Sequence, residues 1–511
     1  MSSEWSAGYV TDVNYTSGYY PELSPIRCRL PLLTAGHHAP KIENACELGF
    51  GQGLSVAIHA AAQSGVKWWG TDFNPAQAAH ATEMARLSGS DAKLYDEAFS
   101  EFCSRVDLPD FDFIGLHGIW TWISDENRSV LVDFVRRKLR PGGVLYISYN
   151  TYPGWSSAAP LRHLMKRHAD VMGAPGDGII TQTGQSLEFI DKLFALNPLY
   201  VAANPSIAER LKGIEKHDRK YLAHEYMNRD WTPMYFAEVE QWLSDAKLTF
   251  ACSANTIDHM HNLNLTPDQI ALMQSIPDPS LRETVRDYCV NQQFRRDYWI
   301  RGPRTLGGHE QVTALREERI VLSAQQNALP TKVQGVLGEA GLLDTIYPPI
   351  LEYLSDYKIH TIGELEIHLG RKGVTFGQLT AAISILFGIS AIQSVMGGSE
   401  IQKAKPRTAA LNRAIAELAI SGGDISHFAS PITGSGVSAP RFHQLFWMSK
   451  QAGGKTPADW AGFVWQILSS QNQAIVKDGA PLRGDDNLVE LTSQAQIWGE
   501  QVLPVWVALG L

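Results

Sequence analysis

The chain has 511 residues, of which 44% are hydrophobic and 19% charged, and its formal net charge is -9. This length provides for two to four domains with buried cores, and the composition excludes a globally disordered protein. The negative charge argues against a dedicated nucleic-acid binder, which needs basic residues to neutralise phosphates. The five cysteines form no CxxC pair, which argues against zinc and redox motifs and fits a reducing compartment.

Two stretches bear on secretion and membranes. The N-terminal residues lack a basic segment followed by an apolar core, so no secretory signal is predicted. Residues 374–399 carry no charge, which raises the question of a membrane span. Their glutamines and four glycines favour a buried helix followed by a strand or turn. We expect a cytoplasmic protein without membrane insertion.

Residues 41–150 show strands alternating with helices. Pro75 in a first helical turn and the Pro-Gly-Gly string at 141–143 after a basic helix end are good start and stop signals. Repeated β-α-β units predict a parallel sheet with helices on both faces. The predicted strands are 42–48, 66–72, 111–117 and 144–149, and the predicted helices are 54–64, 75–88 and 127–139.

The pattern changes after residue 155. Residues 156–231 read as helices broken by loops, whereas 234–247 predicts an amphipathic helix and 248–252 a strand. We therefore predict a helical insertion at 156–231, after which the sheet resumes. The alternative is that the sheet ends near residue 155 and a separate domain begins.

The string ELGFGQG at 47–53 lies between the first strand and the first helix. Gly49, Gly51 and Gly53 permit a tight turn and a close backbone approach to a ligand, and the following helix N-terminus favours a carboxylate. A dinucleotide site has a similar turn, but Glu47 would repel a pyrophosphate and attract a cationic amino-acid ligand. The motif therefore favours S-adenosylmethionine, bound by Glu47 and the three glycines.

Acidic residues at the next two strand ends extend this cofactor site. Asp72 lies 19 positions after Gly53, where a carboxylate can bind the two ribose hydroxyls. Asp96 and Glu97 fall where a carboxylate can accept from the adenine amino group; the alternative is that they are solvated turn residues. Phe73 either stacks on adenine or packs beneath the helix.

Two aromatic strings, HGIWTW and SYNTYPGW, leave the carboxyl ends of further strands. Aromatic faces can hold a methylated ammonium or a sulfonium, at about 0.5–2 kcal/mol each. A dry aromatic cleft also lowers the pKa of an amine and exposes its lone pair. We predict a transfer site with Trp120, with Tyr149 and Asn150 orienting an amine, and with His117 taking a proton or supporting the cofactor. The alternative is that the tryptophans fill the core and His117 is packed near the cofactor.

Five strings together resemble the bacterial methyltransferases that carry a methyltransferase regulatory domain. They are ELGFGQG, GTDFNP, FDFIGLHGIWTWIS, LRPGGVLYISYNTYPGW and YLAHEYMNRDWTPMYFAEVEQWL. The resemblance covers about residues 1–305 and implies an α/β fold with a Rossmann-like class I methyltransferase sheet. By this match, Glu47, the three glycines and Asp72 would contact the cofactor, and residues 117–122 and 149–150 would border the transferred methyl group.

The best-known members of that family are rickettsial protein lysine methyltransferases acting on an outer-membrane protein. The resemblance implies methylation of lysine ε-amines on a protein substrate. The alternatives are a methyltransferase for a small molecule or glycan precursor, and a scaffold that binds the cofactor without turnover. Two departures from the family pattern are Phe50, inside the glycine motif, and residues 11–25, a stretch that often forms the lid over the cofactor.

Two histidine motifs are predicted to be structural, and no metal is expected. Neighbours in a helix point about 100° apart, so His224 and Glu225 are a poor chelate and are predicted to form a cap or an interdomain contact. His259 and His261 are predicted to be a loop pair without metal.

The predicted organisation has five parts, and oligomerisation is left open. Residues 310–400 show a winged-helix pattern, which raises the alternative of DNA binding. The small number of basic residues in this segment argues against that alternative. The parts are a cofactor-binding core at 1–155, the helical insertion at 156–231, the end of the core with the regulatory region at 232–305, a helical domain with a winged-helix pattern at 310–400, and a helical C-terminal domain at 410–511 after a polar linker at 399–409.

Overall fold

The structure is a computed structural model that describes residues 18–174, 176–214 and 219–511. The part of the lid prediction that falls on residues 11–17 lies outside the described residues.

A seven-stranded sheet of order β3-β2-β1-β4-β5-β7-β6 is formed by strands between residues 44 and 301. The first five strands pair in parallel, and β7 runs antiparallel to both of its neighbours. The inner strands are buried almost throughout because helices cover both faces, which is why they read as apolar runs. The strands are β1 Asn44–Leu48, β2 Lys67–Thr71, β3 Lys93–Tyr95, β4 Phe111–Leu116, β5 Leu139–Asn150, β6 Leu248–Ser253 and β7 Phe294–Arg301.

The core helices begin and end where local chemistry dictates. Asn74 caps one helix by accepting from the backbone N–H of Ala76, Pro75 fills its first turn, and Gly89 ends it in the left-handed conformation. Ser124 caps another by accepting from the backbone N–H of Asn127. The core helices are α1 Pro25–Thr34, α2 Leu54–Ala62, α3 Pro75–Ser88, α4 Phe99–Phe102 and α5 Asp125–Lys138.

In its described residues, the insertion has five helices with a hydrophobic cluster of their own, which includes Leu161, Met165 and Ile190. The strands β6 and β7 then join the sheet beside β5, so the prediction that the sheet resumes is confirmed and the alternative that it ends near residue 155 is wrong. The helices of the insertion are α6 Ala159–Met172, α7 Ile179–Ala195, α8 Leu199–Ala203, α9 Ser206–Ile214 and α10 Arg219–Met227; those that follow are α11 Phe236–Ser244, α12 His261–Asn264, α13 Pro267–Ser275 and α14 Pro279–Val290.

Strand β7 was not predicted from the sequence, because charged residues occupy it. Arg295 and Asp297 are both buried and pair through Nε and Oδ2 at 2.9 Å. The neighbouring Tyr298 and Trp299 pack on opposite faces of the sheet. A buried ion pair therefore occupies positions of the strand where apolar residues are expected, and this hides the alternating pattern that would predict a strand.

The next region carries a small antiparallel sheet of order β11-β8-β12 among four helices. Its hydrophobic residues, such as Ile320 and Leu386, share one cluster with Phe113 and Tyr146 of the large sheet. The winged-helix pattern and its DNA-binding alternative stay predictions. The elements are α15 Gly308–Glu317, β8 Arg319–Leu322, β9 Lys332–Gly335, β10 Gly338–Gly341, α16 Tyr347–Leu354, β11 His360–Thr361, α17 Ile362–Gly370, α18 Phe376–Gly388 and β12 Ile392–Ser394.

The predicted polar linker at 399–409 is wrong, because these residues lie inside a long helix. Ile401, Ala404 and Leu411 are buried at helical spacing, and Ile401 and Leu411 share a core with α2, while Gln402, Lys403 and Lys405 are exposed. The elements of this region are α19 Gly398–Leu418, β13 His427–Ser430, β14 Ser435–Ser438, α20 Arg441–Gln451, α21 Pro457–Ser470, β15 Val476–Lys477, β16 Ala480–Pro481, α22 Asp486–Ile497, the π-helical turn Trp498–Val502 and α23 Leu503–Ala508.

Among the helices of the described ranges, none is long and apolar enough to cross a bilayer. The uncharged stretch at 374–399 contains α18 and then β12, as the sequence predicted.

Candidate active site

A cavity of about 710 Å³ lies at the carboxyl ends of the parallel strands. The loops that follow β1 to β5 form its base, and α9 and α10 of the insertion close it from the other side. This is the usual ligand-binding edge of an open α/β sheet. One half of the cavity is lined by the glycine loop and the first acidic residues, and the other half by the aromatic strings and the insertion.

The glycine loop has a backbone that other residues rarely adopt. Gly49 and Gly51 have φ angles of +73° and +56° and line the cavity. Gly53 does not line it, although the sequence predicted cofactor contact. Gly53 begins α2 with φ +74°, and a Cβ there would overlap Ala81 of α3, so it serves close helix packing instead.

Phe50, the bulky departure inside the motif, fits because of a glycine on the next strand. Its side chain is buried, and its Cδ1 lies 3.0 Å from where a Cβ on Gly70 would be. The absence of a side chain at Gly70 therefore makes room for the ring.

Glu47 and Asp72 form a buried acidic pair at the loop, with 3% and 7% of their surfaces exposed. Burial, and secondarily the Asp72 charge, raise the pKa of Glu47 to about 8. Burial raises the pKa of Asp72 to about 6. The backbone N–H groups of Asn74 and Gly51, which donate hydrogen bonds to its carboxylate, act in the opposite direction and lower this pKa. Within the described residues, Oε2 of Glu47 is buried and has no hydrogen-bond partner. A cationic ligand group at this point would supply that partner, which fits the ammonium of an amino-acid cofactor.

Of the two acidic residues that follow β3, Asp96 and Glu97, only Glu97 lines the cavity. Glu97 lines the cavity, where its Oε1 accepts from Arg105 at 2.6 Å and its Oε2 is buried without a partner in the described parts of the chain. Asp96 is exposed and lies outside the cavity, because successive residues of an extended segment point to opposite sides. This corrects the prediction for Asp96. Phe73 is partly buried and lines the cavity.

Some of the residues predicted for the methyl-transfer site line the cavity and others lie outside it. Asn150 lines the cavity; its backbone N–H donates to Thr121 Oγ1 at 2.9 Å, and its side-chain amide has no hydrogen bond within the described ranges. Tyr149, 1% exposed, points the other way and donates its hydroxyl to Asp297 Oδ2 at 2.8 Å. Trp120, 2% exposed, packs edge-on against Trp242 in the core. These placements correct the predictions for Tyr149 and Trp120.

His117 lines the cavity between two tyrosines. Its ring stacks on Tyr20 with centroids 3.7 Å apart, and its Nδ1 lies 2.8 Å from the Tyr146 hydroxyl. Burial lowers the pKa of His117 to about 4. A histidine that is neutral at pH 7 and fixed on both sides fits a packed role in the wall better than proton transfer.

Sequence reasoning missed the contribution of α10 and the loop after it. His224 and Glu225 were predicted to form a cap or an interdomain contact, whereas both line the cavity, together with Asn228 and Asp230. Burial raises the pKa of Glu225 to about 7, although the positive charges of Arg162 and Arg210 oppose it. The string YLAHEYMNRDW was the available signal, since it forms part of the family resemblance.

Two further tryptophans of the predicted aromatic strings complete this half of the cavity. Trp122 and Trp155 both line it, and the guanidinium of Arg210 lies 4.1 Å from the centroid of the Trp155 ring. Trp122 lies two residues after Trp120 in a tight turn, and the turn directs only the second ring to the cavity.

The part of the chain that the structure describes contains no group of three or more His, Cys, Asp or Glu side chains arranged for a metal. His259 has a structural partner, since its Nε2 accepts from the backbone N–H of Ser253 at 2.6 Å. Neither histidine motif of the sequence analysis forms such a group.

The sheet order, the glycine loop after β1 and the acidic residue after β2 define a class I S-adenosylmethionine-dependent methyltransferase. The fold is similar to that of PKMT2 from Rickettsia typhi in complex with AdoHcy, with a TM-score of 0.69, 16% identity and coverage of 97% of this chain and 98% of that chain. Residues 218–301 match the model of a family described as a predicted methyltransferase regulatory domain.

Two curated relatives extend the comparison. An uncharacterized protein of Synechocystis sp. is 36% identical over 512 residues, which cover 99% of both chains. An uncharacterized protein of Rickettsia prowazekii is 28% identical over 291 residues, or 56% of this chain and 51% of the relative. The chain belongs to the family of bacterial methyltransferases that carry a methyltransferase regulatory domain.

Proposed function

We propose that this methyltransferase transfers a methyl group from S-adenosylmethionine to the ε-amine of lysine side chains in a protein substrate. The observation that carries the proposal is the second half of the cavity. There, Glu225, Asp230 and Asn150 line the cavity together with the aromatic rings of Trp122 and Trp155. Carboxylates and aromatic faces together favour a cationic amine.

The residues of the first half fit the cofactor by their chemistry. Glu47 would hold the ammonium group, Asp72 the ribose hydroxyls and Glu97 the adenine amino group, with Gly49 and Gly51 allowing close approach of the backbone. Glu47 and Glu97 each have a buried carboxylate oxygen without a partner among the described residues, which a ligand donor would satisfy. When bound, S-adenosylmethionine supplies a methyl group attached to a positively charged sulfur. An amine that takes this methyl group displaces the sulfur, which leaves as a neutral thioether.

The acceptor amine has to lose a proton before it can act as a nucleophile, because a free lysine has a pKa of about 10.4. Glu225 suits this step, since burial raises its pKa to about 7 and thereby makes its carboxylate a stronger base. The N–H bond of the ammonium breaks, the proton passes to a Glu225 oxygen, and the lone pair remains on nitrogen. The aromatic walls assist, because desolvation lowers the pKa of the amine.

Asn150 would orient the neutral amine. Its side-chain carbonyl can accept from the amine N–H while the backbone of Asn150 is fixed by Thr121 and by Met234, whose N–H donates to its carbonyl at 3.3 Å. A fixed acceptor directs the lone pair along one line, which an in-line displacement requires.

Two features support a protein as the substrate. About two-fifths of the chain follows the large sheet, and such accessory domains favour a macromolecule over a metabolite. The motif resemblance also extends to lysine methyltransferases, and the fold likeness to PKMT2 covers nearly the whole chain.

The test is transfer of labelled methyl from S-adenosylmethionine into cell extract, followed by protease treatment, size separation and acid hydrolysis. We expect label in protein, recovered as methyl-lysine, with the Asn150→Ala variant as the low-turnover control. Label confined to small molecules would contradict the proposal and indicate a metabolite or glycan-precursor enzyme. Cofactor binding without any transfer would indicate a scaffold.

A further inference from the structure

A second cavity, of about 700 Å³, lies between α6 and the segment that precedes α11. Helix α6 and residues 229–235 form most of it. In the described residues, its charged side chains are all basic and no carboxylate lines it. The basic residues are Arg162, His163, Lys166 and Arg229, and the aromatic ones are Tyr152, Trp231 and Tyr235.

Arg162 is the central cation of this cavity, and only 5% of it is exposed. It donates through Nε to the Glu225 carbonyl at 3.1 Å and through a terminal nitrogen to the Asn228 carbonyl at 3.0 Å. Its guanidinium lies 4.6 Å from the centroid of the Trp231 ring. No carboxylate of the described residues forms a salt bridge with Arg162, whose hydrogen-bond partners are these two backbone carbonyls, although the charge of the Glu225 carboxyl also acts on it.

The other cations have weak partners. Lys166 pairs with Asp170, and Arg229 with Asp230 at 3.0 Å, and both pairs are partly exposed to solvent. Such surface pairs contribute about 0–1 kcal/mol each, so an incoming carboxylate can replace the partner at little cost.

One layer of side chains separates the two cavities. Trp155 lines the first and Trp231 the second, and their rings meet edge to face with centroids 5.0 Å apart. Two consecutive residues line different cavities, since Arg229 lines the second cavity and Asp230 lines the first. The acceptor half of the first cavity carries two carboxylates and Arg210, whereas the charged side chains that line the second cavity are all basic.

We propose that the second cavity binds an acidic side chain of the protein substrate, close in sequence to the lysine that enters the first cavity. This rests on the proposed function for the lysine. Each cavity attracts the charge that the other repels, so a peptide with both charges would be held in one register and the reverse register would be disfavoured. Successive residues of an extended peptide lie about 3.3 Å apart, which suits neighbouring sites separated by one aromatic layer.

The experiment uses two synthetic peptides in which norleucine replaces the lysine and the flanking residues are either glutamate or glutamine. Binding to the full chain is followed by fluorescence anisotropy at low and high salt. We expect the glutamate peptide to bind about tenfold tighter than the glutamine peptide at low salt, with the difference shrinking as salt is added. The double variant His163→Glu and Lys166→Glu should lose this preference.

Arg167→Glu is the matched control, because Arg167 is exposed on the same helix and lines neither cavity. It should keep the preference of the wild type. Equal binding of the two peptides, or an unchanged preference in the double variant, would overturn the inference. So would tighter binding of a single-stranded oligonucleotide of similar charge, since it would identify a phosphate site.

Binding is read without methyl transfer, so the two proposals fail separately. A charge preference without any methyl-lysine product would leave the second cavity as an acidic-peptide site and remove the proposed function. Methyl-lysine formation without a charge preference would do the reverse.

Discussion

The carboxylate of Asp72 accepts a hydrogen bond from the backbone N–H of Gly51 at 2.8 Å, and in this way the end of β2 holds the glycine loop that follows β1. The other carboxylate oxygen accepts from the backbone N–H of Asn74 at 3.0 Å. One side chain therefore sets the shape of the loop and lines the cavity at the same time.

Replacing this side chain tests the cofactor site. We expect Asp72→Ala to weaken S-adenosylmethionine binding at least tenfold, or about 1.4 kcal/mol, measured by titration calorimetry. Asp96→Ala is the matched control, since Asp96 is exposed outside the cavity, and its affinity should equal that of the wild type. Unchanged affinity in Asp72→Ala would remove the ribose assignment.

Glu47 makes the stability of the ligand-free protein depend on pH. Its pKa is raised from 4.5 to about 8, so between these values the folded state binds more protons than the unfolded state. Stability should therefore fall as pH rises through this window, and Asp72, with a pKa of about 6, acts in the same direction. Denaturant titrations from pH 5 to pH 8 should show a shallower decline in Glu47→Gln than in the wild type. An equal slope in both proteins would contradict this account of Glu47.

Glu225 should control the pH dependence of turnover. We expect Glu225→Gln to lower kcat by about 100-fold or more, as for loss of a general base, with cofactor affinity nearly unchanged. The wild-type rate should fall below pH 7, because the raised pKa of Glu225 leaves it protonated there, and the variant should lack this limb. Arg162 and Arg210 are the cations that act on this carboxyl. If the Glu225→Gln variant still shows the fall in rate below pH 7, a group other than Glu225 causes it.

Neighbouring residues of β5 should have different functions. Asn150→Ala should lower turnover much more than cofactor affinity, because Asn150 lines the acceptor half. Tyr149→Phe removes a buried hydrogen bond to Asp297 and should cost about 1.5–3 kcal/mol of unfolding free energy, with cofactor binding unchanged. Equal losses of turnover and cofactor affinity in Asn150→Ala would make Asn150 a cofactor residue instead.

The sequence alone determined most of the alternating strands and helices between residues 41 and 150 and the place of the glycine loop, but it did not predict α4 Phe99–Phe102. The features that it determined are local: apolar runs, Asn74 and Pro75 at a helix start, and glycines at a strand end are legible within a few residues. The predicted sheet and its resumption after the insertion are confirmed by the strand order.

Only the tertiary structure decided which of two neighbours reaches the cavity. Glu97 and not Asp96, and Asn150 and not Tyr149, lie there, because successive residues of extended backbone alternate in direction and the sequence does not show which side faces the site. Glu225 enters the site from α10, which is separated from β5 by the rest of the insertion, so its role depends on long-range packing. The helix at 398–418 is decided in the same way, because the face that it buries exists only once α2 and α3 are folded.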